Sequence, residues 1–292
     1  MNPSEAYSFL NQAKSGLYGK AILLLALFCL IPLIIFIKIL LNFIFAELNS
    51  LGFSDDAQLK NSIFYTFCIV SLLFSIKFFH KISPSQWIIG SNAFALKSII
   101  LTVLIYGTLL YSSSQIQAKW FGLEINEFPF EISSLNLLVG VSVFTWVLFE
   151  ELFFRAYLLQ QFYLIFKDLR ITFILSGALF AAIHYTAEGL SIFDSFLVLI
   201  YYFLVSIILS IFTVLSDGIT VPIAIHFTNN LAALALSPSK YFINESLNLE
   251  SIKISLLTSF VELIICACVL YWILLQTKLI SNIKKLNISY KI

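Results

Sequence analysis

The chain has 292 residues, of which 60% are hydrophobic and only 11% are Asp, Glu, Lys or Arg. Soluble domains carry about 25% charged residues, so this composition excludes an ordinary soluble protein and predicts a polytopic membrane protein. The formal net charge of +1 gives no electrostatic footprint for a nucleic acid, and we expect no nucleic-acid partner.

Eight apolar stretches approach the ~20 residues that a helix needs to cross the hydrocarbon core. They are 21–45, 62–79, 98–114, 136–165, 171–186, 192–215, 219–236 and 254–277. No repeat or linker divides the chain, so we expect an all-α fold, a single transmembrane helical bundle over residues 1–292 with about eight spans. No small-residue cleavage site follows the first stretch, which favours a retained helix over a removed signal.

The distribution of basic residues predicts the orientation of these spans. With the N-terminus inside, eleven of the 17 Lys and Arg residues fall in inner segments and four in outer ones, while Lys38 and Arg155 lie within helices. Because cytoplasmic loops carry an excess of Lys and Arg, we expect a multi-pass membrane protein with both termini in the cytoplasm.

The fourth stretch holds three ionisable residues, Glu150, Glu151 and Arg155, inside an otherwise apolar run. An ionisable group within the membrane is costly and therefore suggests function. Glu151 and Arg155 are four residues apart, the spacing of an ion pair on one helix face. Glu150 would point about 100° away in an α-helix, so we expect it to be left free of the arginine.

Polar residues on two further stretches match this set. His184 ends the fifth stretch, with Phe180 one turn before it, and His226 and Asn230 lie four apart on the seventh. If these side chains converge with Glu150, a carboxylate and a histidine can activate a water molecule, while a histidine and an amide can stabilise a developing oxyanion. No Ser or Cys stands beside a His at a spacing that suggests a covalent nucleophile.

Two other segments favour structural interpretations. Glu262 lies in the last stretch with no partner at helical spacing, and we interpret it as structural or interfacial. The segment 79–87 mixes basic and aromatic residues and is typical of an interfacial belt and loop. Small residues such as Gly177 and Ala181 are spaced by four in the fifth stretch and predict close packing against another helix.

Three short motifs, in this order, resemble those of the CAAX prenyl protease and bacteriocin-processing family of membrane proteases (CPBP, or Abi). The motifs are EExxxR at Glu150, Glu151 and Arg155, FxxxH at Phe180 and His184, and HxxxN at His226 and Asn230. Each motif is weak alone, but three in order within apolar helices are specific. They lie within 136–236, which we expect to be the catalytic core of an intramembrane endopeptidase.

The resemblance implies a role for each motif residue. Glu150 and His184 would activate water, His226 and Asn230 would stabilise the oxyanion, and Glu151, Arg155 and Phe180 would support them. The implied partners are membrane lipid and a membrane-anchored peptide or protein, with a CAAX-type prenylated substrate as one possibility.

Members of this family are commonly classed as metalloendopeptidases, and Glu150, His184 and His226 would form a His₂Glu zinc set with an open fourth position. However, Asn is a poor zinc ligand, no HExxH helix is present, and ligands on three separate helices give no local spacing. We therefore favour a glutamate-activated water without a cofactor and keep the zinc enzyme as the alternative.

Two functions of other classes compete with a protease. A proton-coupled transporter would line a pathway with the same residues, but it predicts inverted repeats and broken helices. The chain shows no repeat, and only Pro222 interrupts a motif helix, near its start. A non-catalytic bacteriocin-immunity scaffold is the second competitor.

Overall fold

The computed structural model describes residues 9–51, 57–88, 96–121, 134–188, 192–236 and 249–280. All regular structure in these ranges is helical, which confirms the all-α prediction. The elements are a 3₁₀ helix Phe9–Ser15, α1 Lys20–Ser50, α2 Ala57–His80, α3 Pro84–Ile88, α4 Leu96–Phe121, α5 Ser134–Glu150, a π-helix Glu151–Leu158, α6 Leu159–Phe166, α7 Leu169–Glu188, α8 Ile192–Ser216, α9 Thr220–Leu236 and α10 Leu249–Gln276.

Each of the eight predicted spans overlaps a helix, and in the described ranges six segments are long and apolar enough to cross a membrane. These are Lys20–Ser50, Ala57–His80, Leu96–Ile116, Leu137–Phe166, Phe196–Ser216 and Ser259–Gln276. The apolar part of α7, Leu169–His184, is shorter, and α9 has 17 residues, about 26 Å of helix. The number eight is therefore approximate. The terminal residues 1–8 and 281–292 lie outside the described ranges.

The motif-bearing helices lie in the interior of the bundle. The α7 helix packs against α8, α9 packs against both α4 and α8, and α5 packs against α2. A Cβ added at Gly177 would lie 3.0 Å from the Phe203 ring, so the small residues of α7 do allow a close approach to α8. By contrast, α1 packs on α2 and exposes large apolar side chains such as Leu24 and Phe28, as suits a lipid-facing helix.

One end of the bundle, which we call the basal end, is where α1 begins and where α2 and α6 end. The 3₁₀ helix packs on α6 there and buries Phe9, Leu10 and Ala13. The interpretation of 79–87 as an ordinary interfacial loop is wrong for two of its residues, because His80 and Trp87 are completely buried. The 3₁₀ helix and α6, which meet at this end, are far apart in sequence, and no local pattern reveals that they pack together.

Candidate functional site

The EExxxR motif lies at a change of helix type. Glu150 is the last residue of α5, and Glu151 begins the π-helix. At the end of the π-helix, the Leu159 N–H donates to the Phe154 carbonyl five residues earlier, which is the wider hydrogen-bond register of a π turn. Such turns are rare in proteins and often occur at functional sites.

Glu151 and Arg155 form a completely buried ion pair. Arg155 Nη1 lies 3.0 Å from Glu151 Oε1, as their spacing predicts, and neither side chain is exposed. The guanidinium also stacks on the Phe180 ring, with Arg155 Cζ 4.5 Å from the ring centroid. The arginine is thus neutralised on one side by a carboxylate and covered on the other by an aromatic face, which favours a buried cation.

His226 lies between both glutamates. Its Nδ1–H donates to Glu151 Oε1 at 2.7 Å, and its Nε2 lies 3.6 Å from Glu150 Oε2. We expected Glu150 and Glu151 to face different directions, with Glu150 left free of the arginine. The two carboxylates approach different nitrogens of one imidazole ring, and the buried ion pair of Arg155 is with Glu151.

Glu150 is held by a residue that sequence analysis missed. The Trp146 indole N–H donates to Glu150 Oε1, while Glu150 Oε2 is buried and accepts no hydrogen bond from the described residues. Trp146 stands four residues before Glu150, so the spacing on α5 could have indicated the contact. The Tyr65 ring of α2 stacks on the indole with centroids 6.2 Å apart.

His184 is fixed by its backbone and by two aromatic rings. Its Nδ1 lies 2.8 Å from the Phe180 carbonyl oxygen, which can only accept, so Nδ1 carries the proton and Nε2 is left available. The imidazole packs against the Phe180 ring, with centroids 4.3 Å apart, and against the Tyr202 ring of α8, with centroids 3.9 Å apart. Tyr202 belongs to no motif, and no local spacing connects it to His184.

The Phe180 ring connects the histidines. Its centroid lies 6.1 Å from that of His226, and it also touches His184 and Arg155. His184 lies within electrostatic range of Glu150, His226 and Arg155. We call Glu150, Glu151, Arg155, His184 and His226 the motif cluster. Asn230 lies one turn beyond His226 on α9 and is half-buried.

Glu262 belongs to a second group of polar side chains. It interacts electrostatically with Tyr106 and Tyr201, and the Asn229 amide accepts a long hydrogen bond of 3.5 Å from the Tyr106 hydroxyl. We call Tyr106, Tyr201, Asn229 and Glu262 the tyrosine group. Tyr106 and Tyr201 lie on α4 and α8, so the spacing of residues on α10 could not indicate these partners of Glu262.

The hydrogen bonds of the two histidines are of the kind found around zinc sites. His226 gives its Nδ1–H to a carboxylate and His184 gives its own to a backbone carbonyl, which is how outer partners orient zinc-binding histidines. Nevertheless, among the described residues no three His, Cys, Asp or Glu side chains are gathered closely enough to hold a metal ion. The set of Glu150, His184 and His226 is therefore not arranged as zinc ligands in this structure.

Comparison with known proteins identifies the segment that carries the site. Residues 132–232 match the family model described as type II CAAX prenyl endopeptidase Rce1-like, which confirms the resemblance over this stretch. The match includes all three motifs and ends within α9. No curated protein and no solved structure matches the chain. The family match and the six apolar helices together indicate an integral membrane protein.

Proposed function

From the match of residues 132–232 to the Rce1-like endopeptidases, we propose that the protein is an intramembrane endopeptidase that hydrolyses a peptide bond of a membrane-associated substrate. The observation that carries the proposal is the His226 ring between two buried carboxylates, 2.7 Å from Glu151 and 3.6 Å from Glu150. Because ionisable groups are costly to bury in a membrane domain, the gathering of two acids, an arginine and a histidine there supports a functional site.

Glu150 is the proposed general base. Its Oε1 is occupied by the Trp146 indole, whereas Oε2 is left to take a proton from a water molecule. As the O–H bond of the water breaks, its oxygen bonds to the carbonyl carbon of the substrate and forms a tetrahedral oxyanion. The proton then passes to the leaving amine as the C–N bond breaks, which restores the carboxylate.

His184 assists this proton transfer. With its Nδ1 proton committed to the Phe180 carbonyl, Nε2 is the atom that accepts a hydrogen bond from the attacking water. The same nitrogen can then relay the proton from Glu150 to the leaving amine, and His184 ends in its starting form. The rings of Phe180 and Tyr202 keep the imidazole plane from rotating between these two steps.

His226 and Asn230 are the proposed oxyanion donors. Because the His226 Nδ1–H is already given to Glu151, donation from Nε2 requires the doubly protonated ring. Glu151, held by Arg155, supports the reaction by orienting the His226 ring, and the Asn230 amide adds a second N–H donor from the next turn.

The substrate class and topology are part of the same proposal. The family match supports a CAAX-type prenylated C-terminus as the substrate. The excess of Lys and Arg in the predicted inner segments supports a cytoplasmic location for both termini. The catalytic core is proposed to span 136–236 within a single membrane domain.

The function is tested by peptide cleavage with the purified full-length protein in detergent. The probe is a fluorogenic farnesylated CAAX peptide, compared with the same peptide without the lipid. Wild type should cleave the lipidated probe, and Glu150→Gln should lower kcat/KM at least 100-fold, because general acid–base groups contribute about 10²–10⁴. The matched control is Glu262→Gln, an acid of the same chain outside the motif cluster, which should stay within about threefold.

The outcomes separate the competing functions. Undiminished cleavage by folded Glu150→Gln would refute the water-activation role. Activity that is lost on chelation and restored by zinc would establish the zinc enzyme. A transporter would instead lose flux across sealed vesicles in Glu150→Gln, and a scaffold would keep its immunity phenotype after both substitutions.

A further inference from the structure

The backbone of the π-helix receives hydrogen bonds from side chains outside it. The Trp87 indole N–H of α3 donates to the Ala156 carbonyl at 2.9 Å, and the Ser176 hydroxyl of α7 donates to the Phe154 carbonyl at 3.5 Å. Both donors are completely buried. Trp87 makes the shorter contact, and it comes from a helix outside the matched stretch 132–232.

The π-helix carries both members of the buried ion pair. Glu151 is its first residue, Arg155 lies four residues further on, and Glu151 also accepts the hydrogen bond from His226 Nδ1. Glu150 directly precedes the π-helix. Since π turns are rarely populated, contacts that stabilise this one also hold the glutamates in place.

Trp87 is itself fixed by neighbouring groups. Its carbonyl accepts a hydrogen bond from Gln160 Nε2 at 2.9 Å, and its ring packs edge-to-face on His80 at 4.6 Å. His80 Nδ1 lies 2.6 Å from the Leu17 carbonyl oxygen, so Nδ1 carries the proton and Nε2 accepts from the Tyr157 hydroxyl at 3.0 Å. His80 is therefore a second side chain that contacts the π-helix, through its hydrogen bond with Tyr157.

The N-terminal segment completes this network at the basal end. The Ala13 N–H donates to Gln160 Oε1 at 3.1 Å, and the Leu17 N–H donates to the His80 carbonyl at 2.7 Å. A Cβ at Gly16 would lie 2.5 Å from the same carbonyl oxygen, so the approach of the two segments requires glycine there. The network therefore leaves Trp87 little freedom to move away from Ala156.

We propose that Trp87 is a positioning residue for Glu150 and Glu151, acting through its indole hydrogen bond to the Ala156 carbonyl. It touches none of the reacting groups, and its effect on the reaction passes through the shape of the π-helix alone. The kinetic part of this inference rests on the proposed peptidase function, whereas the structural part does not.

The experiment compares Trp87→Phe, which removes the N–H donor, with the wild-type full-length protein in detergent. Amide hydrogen exchange should become about tenfold faster in peptides covering 151–160 and stay unchanged in peptides covering 220–236. With the farnesylated CAAX peptide as the probe, kcat should fall about tenfold while KM stays within twofold. The variant loses the alignment of the two glutamates and keeps the binding of the substrate.

Two controls isolate the hydrogen bond. Incorporation of 3-benzothienylalanine at position 87 keeps the shape of the indole without its N–H and should reproduce both effects of Trp87→Phe. Trp272→Phe changes a tryptophan that is 62% exposed on α10 and should alter neither exchange nor kcat.

Unchanged exchange over 151–160 would overturn the inference, as would faster exchange spread evenly over all helices with kcat intact. If Glu150→Gln abolishes cleavage and Trp87→Phe leaves kcat unaltered, only the positioning role falls. If wild type cleaves no probe, the proposed peptidase on CAAX peptides falls, and the exchange pattern alone decides whether Trp87 holds the π-helix.

Discussion

The bundle contains two groups of polar side chains, the motif cluster and the tyrosine group, which differ in how their polar atoms are paired and how deeply they are buried. In the motif cluster, two carboxylates approach a guanidinium and an imidazole at 2.7 to 3.6 Å, and every side chain is buried. In the tyrosine group, hydroxyls and an amide surround a partly exposed carboxylate. Removing one partner of a buried charge pair leaves an uncompensated charge, whereas removing a hydroxyl beside a half-buried acid costs much less. The two groups should therefore respond very differently to substitution.

The largest effect is expected for Arg155→Met. This change leaves Glu151 buried without its cation, so the free energy of unfolding should fall by about 3–5 kcal/mol and cleavage should be lost. Thermal unfolding in detergent measures the first effect and the fluorogenic peptide the second.

The matched variant for this prediction combines Glu151→Leu with Arg155→Met. Replacing a whole buried ion pair by apolar side chains is often neutral for stability. The double variant should therefore recover most of the lost stability while remaining inactive, since His226 no longer has a carboxylate on Nδ1. A double variant less stable than Arg155→Met would contradict the ion-pair explanation.

A smaller effect is expected for Trp146→Phe, which removes the hydrogen bond to Glu150 Oε1 but keeps an aromatic ring. Hydrogen bonds to charged groups are worth about 1.5–3 kcal/mol, so kcat should fall about 10- to 100-fold. Steady-state cleavage of the lipidated peptide measures the change, with Trp272→Phe as the control. An undiminished kcat would show that Glu150 needs no fixed orientation.

The smallest effect is expected in the tyrosine group. Tyr106→Phe removes a long hydrogen bond of 3.5 Å to Asn229. We expect less than about 1 kcal/mol of destabilisation and a kcat within about twofold of wild type. Thermal unfolding and peptide cleavage test both statements. A loss as large as that of Trp146→Phe would mean that the two groups are functionally coupled through α9.

Local patterns predicted most of the helices and one contact of the site. Each of the eight apolar stretches overlaps a helix, and the four-residue spacing placed Glu151 beside Arg155. Both are properties of a single helix, so sequence distance carries the information. The order of the three motifs also indicated the resemblance that the family-model match confirms over residues 132–232.

The same reasoning gave no sign of the π-helix that begins at Glu151. It also did not show that His226 approaches both glutamates, one at each ring nitrogen. The roles proposed for Trp87 and Tyr202 also had no local signal, since their partners Ala156 and His184 lie 69 and 18 residues away. Contacts of this kind come from the packing of one helix on another.

The amino-acid sequence alone indicated that the protein lies in a membrane, roughly where its helices lie and which ionisable groups they contain, because apolarity and helical periodicity act over a few turns. Only the tertiary structure decided that His226 is shared by two carboxylates, that Phe180 contacts both histidines, and that α3 contacts the π-helix while the N-terminal segment contacts α6. Those arrangements depend on hydrogen bonds and ring contacts between distant segments, which exist only once the helices have packed.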